Sequence, residues 1–231
     1  MYSYIYYTNQ VIRNADVQFA EMRCMTENFN QLKALTLICT LTPSPGESSS
    51  DKIAHDVDVE LSKYNVINEF IRVVDYNVKP GVETDMGDGD EWPLLRQKML
   101  EADIFIIATP TWVGQMSSVA LRIIERLDAE LSETDNQGRL LTFGKVAAVA
   151  IVGNEDGAHK ITADVFQGLN DLGFTIPAQA ATYWNGEAMH KVDYKDLPAI
   201  PEKVASANAT LARNVAHMAH VLKSNEYPAG Q

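Results

Sequence analysis

The stretch DIFIIATPTWVGQMSSVALRIIERLDAE, residues 103–130, decides the fold. Its opening DIFIIAT (103–109) is a nearly unbroken apolar run, rich in β-branched and aromatic residues and too short to cross a membrane. Such a run fits a strand covered by helices on both faces, with no face left to water. After the turn-forming ATPTWVGQMSS (108–118), Val119, Ile123, Ile124 and Leu127 fall on one stripe and Arg122, Glu125 and Arg126 opposite, which is the 3.6-residue period of an amphipathic helix. Ser117 or Ser118 is placed to cap it.

Four further runs extend the pattern outward: LKALTLICT (32–40), VINEFIRVV (66–74), KVAAVAIVG (145–153) and the weaker FTIPAQAAT (174–182). Helical stripes lie between and after them. Ile53, Val57 and Leu61 follow the first strand, and Val165, Phe166, Leu169 and Leu172 follow the fourth and stop at Gly173; Val204, Leu211, Val215, Met218 and Leu222 form the last. Strands alternating with helices predict a doubly wound α/β fold with five parallel strands and helices on both faces. The irregular insert KPGVETDMGDGDEWP (79–93) misses the spacing of a calcium loop and reads as a solvated loop.

With 231 residues, 46% of them hydrophobic, the chain can build one real core with additions. A formal charge of −12 argues against nucleic acid and anionic lipid, whose binding needs clustered Lys and Arg. Cys24 and Cys39 form neither a CxxC motif nor a His–Cys cluster, so no zinc or iron–sulfur site is expected and a reducing cytoplasm fits. The N-terminus lacks the pattern of a secretory signal, and no stretch is apolar enough to span a membrane. Over residues 1–32, Ile12, Ala15, Phe19, Met22 and Phe29 make a helical stripe in a polar segment. Such an arm must bury that face elsewhere, on a partner subunit of a homo-oligomer (dimer or tetramer) or on its own domain, residues 33–231.

In open α/β sheets, ligands bind outside the carboxyl ends of the strands where the strand order reverses. The loops after strands one, three and four are therefore read together. TLTPSPGESSSDKIAHDV crowds Ser44, Ser48, Ser49 and Ser50 against a helix start, where orphan N–H groups can hold an anion without lysine. Neither GxxxxGK[ST] nor GxGxxG is present. In the second loop Pro110 stiffens the turn, Gly114 permits close backbone approach, and Trp112 can lie along an aromatic ring or pack under its own helix. The third, VGNEDGAHK, brackets Asn154, Glu155 and Asp156 between Gly153 and Gly157, while His159 reads as an exposed or capping residue. A phosphate nest, a ring wall and glycine-lined N–H donors together describe a site for flavin mononucleotide (FMN).

From about Lys33 to Glu187 the chain resembles the NAD(P)H-dependent FMN reductase branch of the flavodoxin-like superfamily. The strings carrying the likeness are TLTPSPGESSSD, GDGDEWP, ATPTWVGQMSSVALRIIERLDAE and VGNEDGAHKITADVFQGLNDLGFTIPAQAATYWNGEA. The resemblance implies strand order 2-1-3-4-5 and gives the FMN phosphate to Ser44, Ser48, Ser49 and Ser50. It places Pro110, Thr111, Trp112, Val113, Gly114 and Gln115, with Gly153, Asn154, Glu155, Asp156, Gly157 and Ala158, around the isoalloxazine. This chain departs at Ser49 and Ser50, where relatives often carry Asn and Thr, and Asp51 follows directly. The implied activity is electron transfer from NADH or NADPH through FMN to a small acceptor such as a quinone or flavin, with no acid–base residue singled out. An electron-carrier flavodoxin is the alternative, which the −12 charge also fits. A receiver-type signalling module would need paired acids after strand one, where this chain has CTLTPS.

Overall fold

The computed structural model describes residues 30–188 and 190–230. The expected arm at 1–32 therefore lies almost wholly outside the described residues. Strands β1 (Leu32–Ile38), β2 (Val66–Arg72), β3 (Ile104–Trp112), β4 (Gln115–Met116), β5 (Val146–Gly153) and β6 (Ala181–Asn185) alternate with helices α1 (Ser49–Leu61), α2 (Trp92–Glu101), α3 (Ser118–Leu127), α4 (Ala158–Asp171) and α5 (Glu202–Ser224). The sheet runs β2-β1-β3-β5-β6, and every neighbouring pair on this path is parallel. The five long strands thus have the expected 2-1-3-4-5 order.

The unbroken apolar runs have their physical reason in two cores. Leu35, Leu37, Phe105, Ile107, Ala147, Val149 and Ile151 point to the side covered by α2, α3 and α4. Their sequence neighbours Ala34, Ile38, Ile104, Ile106, Ala108, Ala148 and Ala150 point to the side covered by α1 and α5. Because successive side chains alternate across a sheet, a strand buried on both faces has no polar positions to spare. Edge strands β2 and β6 carry mixed burial instead.

Four expectations are corrected. The expected fifth strand at 174–182 lies too early: only Thr175 bridges to Val146, and the paired strand is 181–185. Pro177 within that run has no N–H for a ladder. The sheet also has a sixth strand, the two-residue β4 antiparallel to β3. Pro110 is a strand residue paired with Val152, so it does not form the turn. Lastly, the 79–93 insert is not simply solvated, since Trp92 and the Asp90 side chain are fully buried and Arg126 reaches in to pair with Asp90 at 2.8 Å.

Helix starts position the strand ends. Ser48 caps α1 by accepting from the Asp51 N–H at 3.4 Å, and Ser117 caps α3 by accepting from the Ala120 N–H at 3.1 Å. The Ser117 hydroxyl also donates to the Cys39 carbonyl at 2.6 Å. One buried hydroxyl therefore fixes the exit of β1 against the start of α3, at the carboxyl edge of the sheet.

Candidate functional site

At that edge a cleft of about 340 Å³ opens among the ends of β1, β3, β5 and β6. It sits where the order turns from β1 to β3, the position favoured for ligands in open α/β sheets. Ser48, Ser49 and Ser50 line one end, Pro110, Thr111 and Trp112 the middle, and Gly153, Asn154 and Glu155 the far wall. Nine of the sixteen expected site residues thus converge on it.

At the α1 end, Ser50 is buried and the Ser49 hydroxyl accepts from the Lys195 N–H at 3.2 Å. The first N–H groups of α1 have no preceding helical carbonyl to bond, so this end carries a partial positive charge. Ser44 lies outside the cleft. Its N–H and hydroxyl donate to Asp75 at 2.8 and 2.5 Å, which holds that carboxyl below its ordinary range. The first loop therefore divides, with its start tied to the end of β2 and its serine run turned into the cleft.

The loop after β3 is a two-residue hairpin. Trp112 pairs with Gln115, and the intervening Val113 and Gly114 have φ of 52° and 69°. Positive φ at both central residues is the type I′ turn, which suits the twist of the flanking strands but strains a β-branched residue. Glu155 holds it, accepting from the Val113 and Gly114 N–H groups at 3.0 and 2.9 Å. Trp112 is left 54% exposed on the cleft wall, so it does not pack under its own helix. Val113 and Gly114 stand outside the cleft lining, as does Gln115, whose side chain accepts from Lys160 at 2.7 Å.

The glycines of the third loop serve the protein's own packing. A Cβ on Gly153 would come within 2.7 Å of Thr111, and one on Gly157 within 2.8 Å of Gly114. Both let the β5 loop seat against the hairpin. Asp156 accepts from the Gly157 N–H at 2.7 Å, and Ala158 is buried in the core at the head of α4; neither lines the cleft, nor does Gly157. Two buried polar atoms on the cleft lining have no protein partner among the described residues: Thr111 Oγ1 and Asn154 Oδ1. A buried polar atom without a partner is costly, so such a pair marks a place for ligand or water. His159 is exposed, bonded to the Tyr183 hydroxyl at 2.9 Å, and outside the cleft.

Four cleft residues that the sequence did not single out come from β6 and beyond: Trp184, Asp193, Tyr194 and Lys195. Trp184 packs against Tyr194 with ring centres 5.6 Å apart. The Tyr194 hydroxyl donates to Asp56 at 2.8 Å, and burial together with that carboxylate pushes the phenol pKa up. Trp184 lay inside a string carrying the family resemblance, but residues 193–195 had no local signal.

Residues 33–188 match the family described as NADPH-dependent FMN reductase, and the chain belongs to it. The sheet order is that of the flavodoxin-like fold. Among relatives, the 8-demethyl-8-aminoriboflavin-5'-phosphate synthase of Streptomyces davaonensis is 34% identical over 68% of this chain and 65% of its own length. The divalent metal cation transporter MntH of Mycobacterium bovis is 34% identical over 85% of this chain but only 30% of its own length. The chain thus spans less than two thirds of either relative, and no helix among the described residues is long and apolar enough to cross a membrane. Among solved structures, RosB with bound 8-demethyl-8-formylriboflavin-5'-phosphate superposes with a TM-score of 0.77 at 31% identity, covering 85% of this chain and 82% of that one.

Proposed function

We propose that this chain is an FMN-dependent NAD(P)H oxidoreductase that passes electrons from a nicotinamide to a small acceptor such as a quinone or flavin. The observation that carries this reading is the convergence, in one cleft, of the α1 N-terminus with its three serines, the half-exposed Trp112 and the unpaired Thr111 Oγ1 and Asn154 Oδ1. Those groups fit FMN: an anion end, an aromatic wall and polar atoms for a heteroaromatic edge. Ser48, Ser49 and Ser50 would hold the phosphate, and Trp112, Thr111 and Asn154 would orient the ring. FMN supplies the hydride chemistry when bound. The protein's part is to exclude water from one ring face and keep the other open to a planar donor, since reacting atoms must approach to about 3–3.5 Å. A small-molecule acceptor, a cytoplasmic setting and a homo-oligomer complete the reading; solution mass of the full chain tests the last.

A second reading rests on the likeness to an aminoriboflavin-phosphate synthase and to a structure holding a riboflavin phosphate: the same cleft would take a riboflavin phosphate as substrate. Anaerobic mixing of FMN-loaded protein with NADH or NADPH separates the possibilities. The oxidoreductase gives fast, saturable bleaching and returns intact FMN on addition of an acceptor. A flavin with altered mass after a separate incubation in air with an amine donor supports the second reading. A carrier leaves the flavin oxidised by nicotinamide yet reducible by dithionite.

A further inference from the structure

Three consecutive residues tie the two ends of the cleft together. Asp193 accepts from the Asn154 amide at 2.9 Å, Tyr194 anchors on Asp56, and the Lys195 N–H bonds Ser49. All three lie beyond residue 188, where the family match ends. Among the described residues lining the cleft, Lys195 is the one basic side chain, against the carboxylates of Glu47, Glu155 and Asp193. Its ammonium group rests on Asp196 at 2.8 Å, with Glu47 at 3.9 Å, and the side chain keeps 27% exposure.

We propose that Lys195 makes this cleft selective for a phosphorylated flavin by turning from Asp196 to the phosphate at the start of α1. The proposal rests on the FMN reading above. Its backbone is already fixed at Ser49, so the ammonium group has only its own flexible stem to move. Because Ser49 Oγ accepts the Lys195 N–H, its own O–H stays free to donate to the anion. Glu47 puts negative charge beside a site that must hold a dianion, while Asp51 in the first turn of α1 is already paired with Arg72 at 3.4 Å. A lysine delivered from outside the first loop offsets it. The unpaired, buried Thr111 Oγ1 on the same lining is independent of the helix end and also points to a ligand in this cleft.

Riboflavin carries the same ring system without the phosphate, so it isolates the contribution of that group. Flavin-free full-length protein is titrated with FMN and with riboflavin, following flavin fluorescence, for the parent chain, Lys195→Gln and Lys195→Arg. Losing one charge-assisted contact to the phosphate weakens FMN about tenfold or more in Lys195→Gln. Riboflavin affinity stays unchanged, Lys195→Arg keeps most of the FMN affinity, and the salt dependence of FMN binding falls in Lys195→Gln. Unchanged FMN affinity in Lys195→Gln, or equal weakening of both flavins, overturns the proposal while leaving the cofactor reading intact. Failure of the parent chain to bind either flavin overturns the cofactor reading and this proposal with it. Melting of the flavin-free variants checks folding, since both retain the backbone donor to Ser49.

Discussion

The Glu155 carboxylate accepts from the backbone N–H of Val113 at 3.0 Å, across 42 residues of chain, and in doing so holds a valine at a φ of 52°. Its second oxygen takes the Gly114 N–H, so one side chain satisfies both donors of the hairpin tip that follows Trp112. Glu155→Ala should speed amide exchange at Val113 and Gly114 and weaken FMN by loosening the Trp112 wall. Val113→Asn creates the Asn-Gly pair preferred in this turn. It should raise stability by about 1 kcal/mol, because a β-branched residue disfavours the left-handed region by roughly that amount. A fall in the denaturation midpoint of Val113→Asn would show that the valine is not strained.

Trp112 and Trp184 both line the cleft, but they should respond differently to truncation. Trp112 is 54% exposed, so Trp112→Ala should leave folding within about 0.5 kcal/mol while altering the visible spectrum and affinity of bound flavin. Trp184 packs on Tyr194, so Trp184→Ala should lower both stability and affinity. An unaltered flavin spectrum in Trp112→Ala removes it from the ring wall.

Tyr194 joins α1 to the segment after β6 through its bond to Asp56, which also pairs with Lys52. Tyr194→Phe keeps the ring packing and removes only the hydroxyl, and should cost about 1–2 kcal/mol in urea unfolding. The raised phenol pKa leaves it a donor across the whole range of ordinary buffers. Tyrosine absorbance should therefore show this phenol un-ionised until the chain unfolds at high pH.

Asp90 anchors the 79–93 insert from within. Burial alone would raise its pKa, but N–H groups of Met86, Lys79 and Trp92 and the Arg126 guanidinium bring it down to about 2 from 3.8. A carboxyl held below its unfolded value contributes stability that is full above about 3.8 and lost as pH falls through about 2. The slope of stability against pH in that window should shrink in Asp90→Asn. At neutral pH the same variant leaves Arg126 buried without a counter-charge and should cost about 3–5 kcal/mol. Equal acid slopes in variant and parent would show that Asp90 is not the titrating group.

What the sequence by itself determined are the features set by local periodicity. Runs at 103–109 and 145–153 are nearly unbroken apolar, which dictates strands covered on both faces. Ser48, Ser117 and Gly173 mark helix ends by their own chemistry; Pro110 to Trp112 reach the cleft because they close β3 at its carboxyl end, and Ser48 to Ser50 because they open the helix that follows β1. Only the tertiary structure decided the rest. The apolar run at 174–182 fits a strand by composition, but pairing began at Ala181, where the chain meets β5. Val113 entered a turn that its own conformational preference opposes, because Glu155 from another loop receives its N–H. Ser44, alike in type to its neighbours, turned to Asp75 on the far side of the loop. Asp193, Tyr194 and Lys195 reached the cleft through Asn154, Asp56 and Ser49, partners 39, 138 and 146 residues away. Hydrogen bonds over such distances leave no periodic trace along the chain.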